Sequence, residues 1–187
     1  MATKEEILSE GLKVFAKKGY ENTNLETIAK KANITKPAIY YYFKNKKALY
    51  NEIFINEFKS LNIEISGKLE EDLKSYVYSL GEFFINNPYI AKLFAKELAS
   101  EGMHLEKETL KNISSKTLKV LSEMLKNTNI NPFFIQTIIV SSFTTYTNTL
   151  SMREKLKNIL QTKNLSEDFK ITDEIYKTIS LYIKARK

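Results

Sequence analysis

The chain contains no cysteine. Disulfide frameworks, thiolate metal sites and cysteine nucleophiles are therefore excluded outright. It contains one histidine, His104, so paired-imidazole metal centres are excluded too. Its five glycines form no G-x-G or G-x-x-x-x-G-K pattern, which leaves no phosphate-cradling loop. Lys4, Glu5, Glu6, Glu10 and Lys13 interrupt the first 18 residues, so no targeting segment is expected there. The 26 residues from Asn127 to Met152 carry no formal charge. Fourteen of these are Asn, Gln, Ser or Thr, too polar for hydrocarbon, so a buried or interface helix is expected rather than a membrane span. The absences together predict a soluble cytoplasmic protein with no metal, no cofactor and no catalytic centre.

What is present is length and positive charge. With 187 residues the chain can bury roughly 70% of its unfolded surface. It has 29 basic and 22 acidic side chains, a net charge of +7, which favours an anionic partner. The charge is unevenly placed. Residues 1–50 hold ten Lys and five Glu, whereas residues 51–187 hold 19 basic and 17 acidic side chains. Between residues 27 and 51 there is no acid at all, while Lys30, Lys31, Lys36, Lys44, Lys46 and Lys47 all fall there.

The punctuation is helical. Gly19, Gly67 and Gly102 fall where helices could stop, and Pro37, Pro88 and Pro132 where they could start. The apolar spacing predicts an all-α chain with helices over 3–18, 25–32, 36–43, 46–66, 70–86, 88–101, 104–126, 132–150 and 172–186. A further helical piece is expected at 152–161 and a loop at 162–171. Gly11 sits on the apolar stripe of the first helix, where it permits close approach of another helix. Glu70, Glu71 and Asp72 fall in a first turn, where carboxylates stabilise the helix.

Residues 24–43 have the spacing of a helix, a three-residue turn and a second helix. Asn24 and Thr35 suit the two N-caps, and Asn33 tolerates a left-handed turn. Leu25, Ile28, Ala29, Ile34, Ile39 and Phe43 form the inward set. With Ile39 and Phe43 inward, Lys36, Pro37, Tyr40 and Lys44 turn outward. A basic and aromatic surface of this kind supplies donors for phosphates and base edges and apolar contact for thymine methyls.

The string from Gly19 to Leu49, with its run Tyr40-Tyr41-Tyr42-Phe43 followed by Asn45-Lys46, resembles the DNA-binding domain of TetR-family transcriptional regulators. Asn33 stands where many members have Gly. The resemblance implies an N-terminal three-helix DNA-binding unit over 1–48 and a larger helical body for effector binding and dimerisation over 49–187. It places Lys36, Pro37, Ala38 and Tyr40 at positions that approach base edges. It places Thr27, Tyr41, Tyr42 and Lys46 at phosphate-contacting positions. In a TetR-like body Phe83, Phe84, Phe94, Met103, His104 and Met124 are candidates to line a cavity for a small apolar or amphipathic effector.

Two late helices look partner-facing. Ile135, Ile139, Phe143 and Tyr146 share one face of the first, and Ile175, Ile179, Tyr182 and Ile183 one face of the second. The implied function is a repressor, binding double-stranded operator DNA as a homodimer and released by its effector. Two alternatives stand beside it: a similar regulator switched by a protein partner, and a small helical enzyme. The enzyme needs a nucleophile within reach of a base, and the only histidine lies in a segment without a nucleophile motif.

Overall fold

The computed structural model describes residues 3–162, 165 and 169–186. No strand occurs among them. The helices are α1 (Lys4–Lys18), α2 (Leu25–Lys31), α3 (Lys36–Tyr42), α4 (Lys46–Lys59), α5 (Leu69–Asn86), α6 (Pro88–Ala99), α7 (Lys107–Lys116), α8 (Leu118–Leu125), α9 (Pro132–Asn148), α10 (Leu150–Leu160) and α11 (Ile171–Lys184). The all-α expectation holds. The chain forms two compact units, one of residues 1–60 and 92–115, the other of residues 61–91 and 116–187.

In the first unit α1 packs on α4 and α2, and α2 packs on α3. Thr3 opens α1 with a capping box: Glu6 N–H donates to its hydroxyl, and its own N–H donates to the Glu6 carboxylate. Ile7, Leu8, Phe15, Leu49, Ile53 and Phe54 are buried. Each such side chain contributes roughly 1.5–3 kcal/mol when fully removed from water. At Gly11 α1 lies close against α4, since a Cβ there would lie 3.0 Å from Ile53 Cδ1. Phe94, from the segment 92–115, packs against Phe54 and Phe58 of α4.

In the second unit α5 packs on α9, α11 and α8, and α9 packs on α8 and α11. Leu73, Val77, Leu80, Ile135, Ile139, Phe143 and Ile179 fill its core. Gly81 permits the close packing of α5, since a Cβ there would run into Thr172 Cγ2 and lie 2.8 Å from Phe143 Cζ. Tyr76 donates its hydroxyl to Gln136 across α5 and α9. Asp72 is buried and accepts from Ser66 N–H, Ser66 Oγ and Gly67 N–H, tying the preceding turn to α5. This is the helix-start role expected for that acidic run.

Three boundaries differ from the sequence expectation. The fourth helix stops at Lys59 rather than 66, and residues 61–66 run without helix before Gly67 adopts φ +88°. The expected helix over 104–126 begins at Lys107 and breaks at Thr117, whose backbone (φ −124°, ψ −90°) separates α7 from α8. Uncharged α9 ends at Asn148 and α10 follows at once, so the charge-free stretch is not one helix. No helix among the described residues is long and apolar enough to cross a membrane. Of the loop expected at 162–171, Thr162, Phe169 and Lys170 are non-helical, Leu165 is helical and Ile171 already opens α11; the other residues lie outside those described.

Candidate nucleic-acid interface

The helix-turn-helix is set by its caps. Asn24 Oδ1 accepts from Thr27 N–H at 2.8 Å and starts α2. Asn33 adopts φ 55°, the left-handed turn anticipated for it, and Ile34 N–H donates to Ala29 C=O at 3.0 Å. Thr35 opens α3 from extended backbone without a side-chain cap bond. Pro37 lies in the first turn of α3, where no donor is needed. Asn45 Oδ1 accepts from Ala48 N–H at 2.8 Å and starts α4.

Leu25, Ile28, Ala29, Ile39 and Phe43 are buried as expected, and Ile34 is half-buried. This leaves one face of α3 in water. Lys36, Pro37, Tyr40, Tyr41 and Lys44 are exposed, Ala38 and Tyr42 partly so, and Tyr41 reaches 82%. The Tyr41 and Tyr42 rings meet edge to face at 5.1 Å, which stiffens the pair. Lys36 and Lys44 form no ion pair among the described residues; Lys30 pairs with Glu26 at 3.3 Å, both well exposed. A basic surface with projecting phenols and no carboxylate on it can donate to phosphates and base edges and present apolar contact between them.

Two of the phosphate candidates already have partners. Thr27 Oγ1 donates to Asn24 Oδ1 at 2.8 Å, so its hydroxyl also serves the α2 cap. Lys46 Nζ donates to Tyr20 C=O at 2.9 Å and lies 4.2 Å from the centre of the Tyr20 ring. Tyr20 stacks on His104 at 4.3 Å and meets Tyr50 edge-on at 4.9 Å. Burial, helped by the nearby Glu21, Glu106 and Glu97 carboxylates, raises the Tyr20 phenol above its ordinary range. Burial and a hydrogen bond to Glu97 push the Tyr50 phenol up still further.

The other sequence-derived candidates are placed as follows. Of the cavity set, Phe83, Phe84 and Met124 belong to the second unit, Phe83 and Phe84 buried edge to face and Met124 half-buried. Phe94, Met103 and His104 belong to the first. There Phe94 packs against α4, Met103 is 72% exposed, and His104 is tied to Glu97, Glu21 and Tyr20. Of the partner-facing set, Ile135, Ile139, Phe143, Ile175, Ile179 and Ile183 are buried within a single copy of the second unit. They are core, and the physical reason is simple: the most apolar stripe of each helix is claimed by its own chain first. Tyr146 and Tyr182 are half-buried; Tyr146 faces Arg153 at 3.7 Å and Phe169 at 5.8 Å. The faces left in water are Phe134, Thr137, Ser141, Thr145 and Asn148 on α9, and Glu174, Thr178 and Leu181 on α11.

Sequence reasoning missed Tyr20, Tyr50, Asn51 and Glu97. Tyr50 reaches Glu97 across 47 positions, and Lys46 reaches Tyr20 across 26, so no local spacing carries the pairing.

Residues 7–53 match the family model described as bacterial regulatory proteins, tetR family. Those residues are the chain's TetR-type DNA-binding segment, and the curated relatives that match it are named as regulators, not as enzymes. Among curated TetR-like relatives, the biofilm operon icaADBC negative transcriptional regulator IcaR of Staphylococcus aureus (strain Newman) is 26% identical, over 97% of this chain and 99% of its own. The transcriptional repressor NicS of Pseudomonas putida (strain KT2440) is also 26% identical, over 66% of this chain and 62% of NicS, so the alignment spans under two thirds of that relative. The solved regulator FadR of Bacillus subtilis, in complex with stearoyl-CoA, shares the fold with a TM-score of 0.64 at 16% identity, covering 97% of this chain and 98% of FadR. FadR of Bacillus halodurans, a fatty acid degradation regulator, gives 0.63 at 18% identity, over 96% and 94%.

Proposed function

We propose that this chain is a TetR-family repressor that binds a near-palindromic operator as a homodimer and is released by a small apolar or amphipathic molecule. The observation that carries DNA reading is the uncovered face of α3: Lys36, Tyr40, Tyr41 and Lys44 stand in water, with no acid between residues 27 and 51. In this reading Lys36, Pro37, Ala38 and Tyr40 meet base edges, while Thr27, Tyr41, Tyr42 and Lys46 meet phosphates. The free N–H groups at the start of α4 favour a phosphate beside Lys46. Two copies would set their α3 helices in successive major grooves, about 34–36 Å apart. Residues 1–48 would do the reading, in the cytoplasm, and residues 49–187 the pairing and effector binding.

Pairing is supported by the outer face of α9. Phe134, Thr137, Ser141, Thr145 and Asn148 are exposed and none is charged. Small residues at Ser141 and Thr145 allow a second helix to approach closely. Repression is supported by the names of IcaR and NicS, and a small apolar effector by the stearoyl-CoA bound to Bacillus subtilis FadR. Effector coupling in such a switch amounts to about 1–3 kcal/mol. The test is selection of duplexes from a randomised library by the full chain. Enrichment of a two-fold symmetric site with half-sites one helical turn apart supports the reading. Enrichment of nothing, or of sites without symmetry, overturns it.

A further inference from the structure

Glu97 stands at the end of α6 and is 3% exposed, yet no lysine or arginine among the described residues pairs with it. Three polar groups reach its carboxylate instead. The Tyr50 hydroxyl donates to Oε2 at 2.7 Å, His104 backbone N–H donates to Oε1 at 2.8 Å, and His104 Nδ1 lies 3.0 Å from Oε2. The other ring nitrogen, Nε2, lies 3.2 Å from Glu21 Oε1, so the one imidazole bridges the buried carboxylate and an exposed one.

Every group facing this ring belongs to one cluster. Glu97 comes from α6, Glu21 and Tyr20 from the turn after α1, and Tyr50 from α4; Lys46 lies over Tyr20, Glu106 acts on Tyr20 from the loop, and Ser100 Oγ is 3.5 Å from Nδ1. The grip on α4 is doubled by buried Asn51, which donates to His104 C=O at 3.0 Å and accepts from Glu106 N–H at 2.7 Å. The segment 97–106 thus holds the α1–α2 turn and α4 at once. Tyr20 lies five residues before α2 and anchors Lys46, the phosphate candidate.

We propose that Glu97 and His104 are positioning residues for DNA reading, forming a clamp that fixes the helix-turn-helix against α4. The proposal rests on the DNA-reading function above. Glu21 is largely exposed, so its contact with His104 Nε2 is a surface-type pair, and its loss is expected to cost a factor of about 5 or less.

The readout is the ratio of affinities for a duplex enriched by the wild-type chain and for a random duplex. This ratio cancels the uniform effect of removing an acidic charge. Glu21→Gln is expected to lower the ratio about 2- to 5-fold. His104→Asn, which can still donate to Glu97 from near the Nδ1 position but cannot reach Glu21, is expected to match it. His104→Ala, which removes the side-chain contact of buried Glu97 as well, is expected to lower the ratio about tenfold or more. Amide hydrogen exchange over residues 19–24, measured without DNA, is expected to quicken in all three variants. A wild-type ratio in His104→Ala overturns the proposal. If the wild-type chain enriches no duplex, the DNA-reading function fails, and unchanged exchange at residues 19–24 then sinks the clamp on its own.

Discussion

The outer faces of α3 and α9 both leave bulky side chains in water, but they differ in charge. On α3 exposed Tyr40 and Tyr41 stand among Lys36, Lys44 and their neighbours, with no acid between residues 27 and 51. On α9 exposed Phe133 and Phe134 stand among Thr137, Ser141, Thr145 and Asn148 with no charge at all. Ordinary soluble surface mixes both signs at roughly 25–35% charged residues. One face departs from that by sign, the other by absence. A single-signed basic face suits a polyanion and makes binding depend on salt. A charge-free face of small and aromatic residues suits a neutral protein surface, and its contact should be nearly indifferent to salt.

The largest expected effect separates the two sides of α9 itself. Phe143, fully buried beside Gly81, should cost about 3–5 kcal/mol of stability as Phe143→Ala, read by denaturant melting of the full chain. Next, Ser141→Lys on the outer face should leave melting at low concentration almost unchanged. It should weaken the proposed dimer about 100-fold by bringing like charges together, roughly 2.7 kcal/mol in sedimentation equilibrium. A dimer that survives Ser141→Lys unchanged would move the interface elsewhere.

On the α3 side the same logic splits base from phosphate. Tyr40→Ala should lower discrimination between the selected and random duplexes by about 1–2 kcal/mol with the salt slope kept. Lys46→Ala should weaken both duplexes alike and flatten the salt slope by about one unit or less. Equal behaviour of the two variants would dissolve the distinction between reading and anchoring. The smallest effect lies in the second unit. The Tyr78 hydroxyl donates to Asp173 Oδ1 at 2.7 Å and holds that carboxyl below its usual range, with help from Lys170 and Lys177. A depressed carboxyl adds stability above its unfolded value near 3.9 and loses it as pH falls through the folded value. Wild type should therefore lose slightly more stability than Tyr78→Phe on acidification below about pH 4, as compared by melting temperature.

Most of the reading head was legible because its signals are local. Asn24, Asn33 and Asn45 act within three or four residues of themselves, and the inward set follows from helical period. Even the close approach at Gly11 was readable from its place on an apolar stripe. The partner-facing stripe was misplaced for the opposite reason. Periodicity identifies which side of a helix is apolar, and Ile135, Ile139 and Phe143 are indeed one side. It does not say whether that side meets its own chain or another copy. The break at Thr117 and the early end of α4 were invisible because helix ends in weakly periodic stretches depend on what packs there. Gly81 gave no signal, since the atoms that need its missing side chain come from Phe143 and Thr172.

The sequence by itself determined the helix-turn-helix, its outward Lys and Tyr side chains, the concentration of charge in the first 50 residues and the uncharged α9. Each of these follows from composition and from interactions that close within one or two helical turns. Only the tertiary structure decided that the Ile stripe of α9 is core, that Lys46 rests on Tyr20, and that Glu97 and His104 grip the α1–α2 turn. Those outcomes depend on side chains 26 to 83 positions apart competing for the same buried space and the same protons, and nothing along the chain orders that competition in advance.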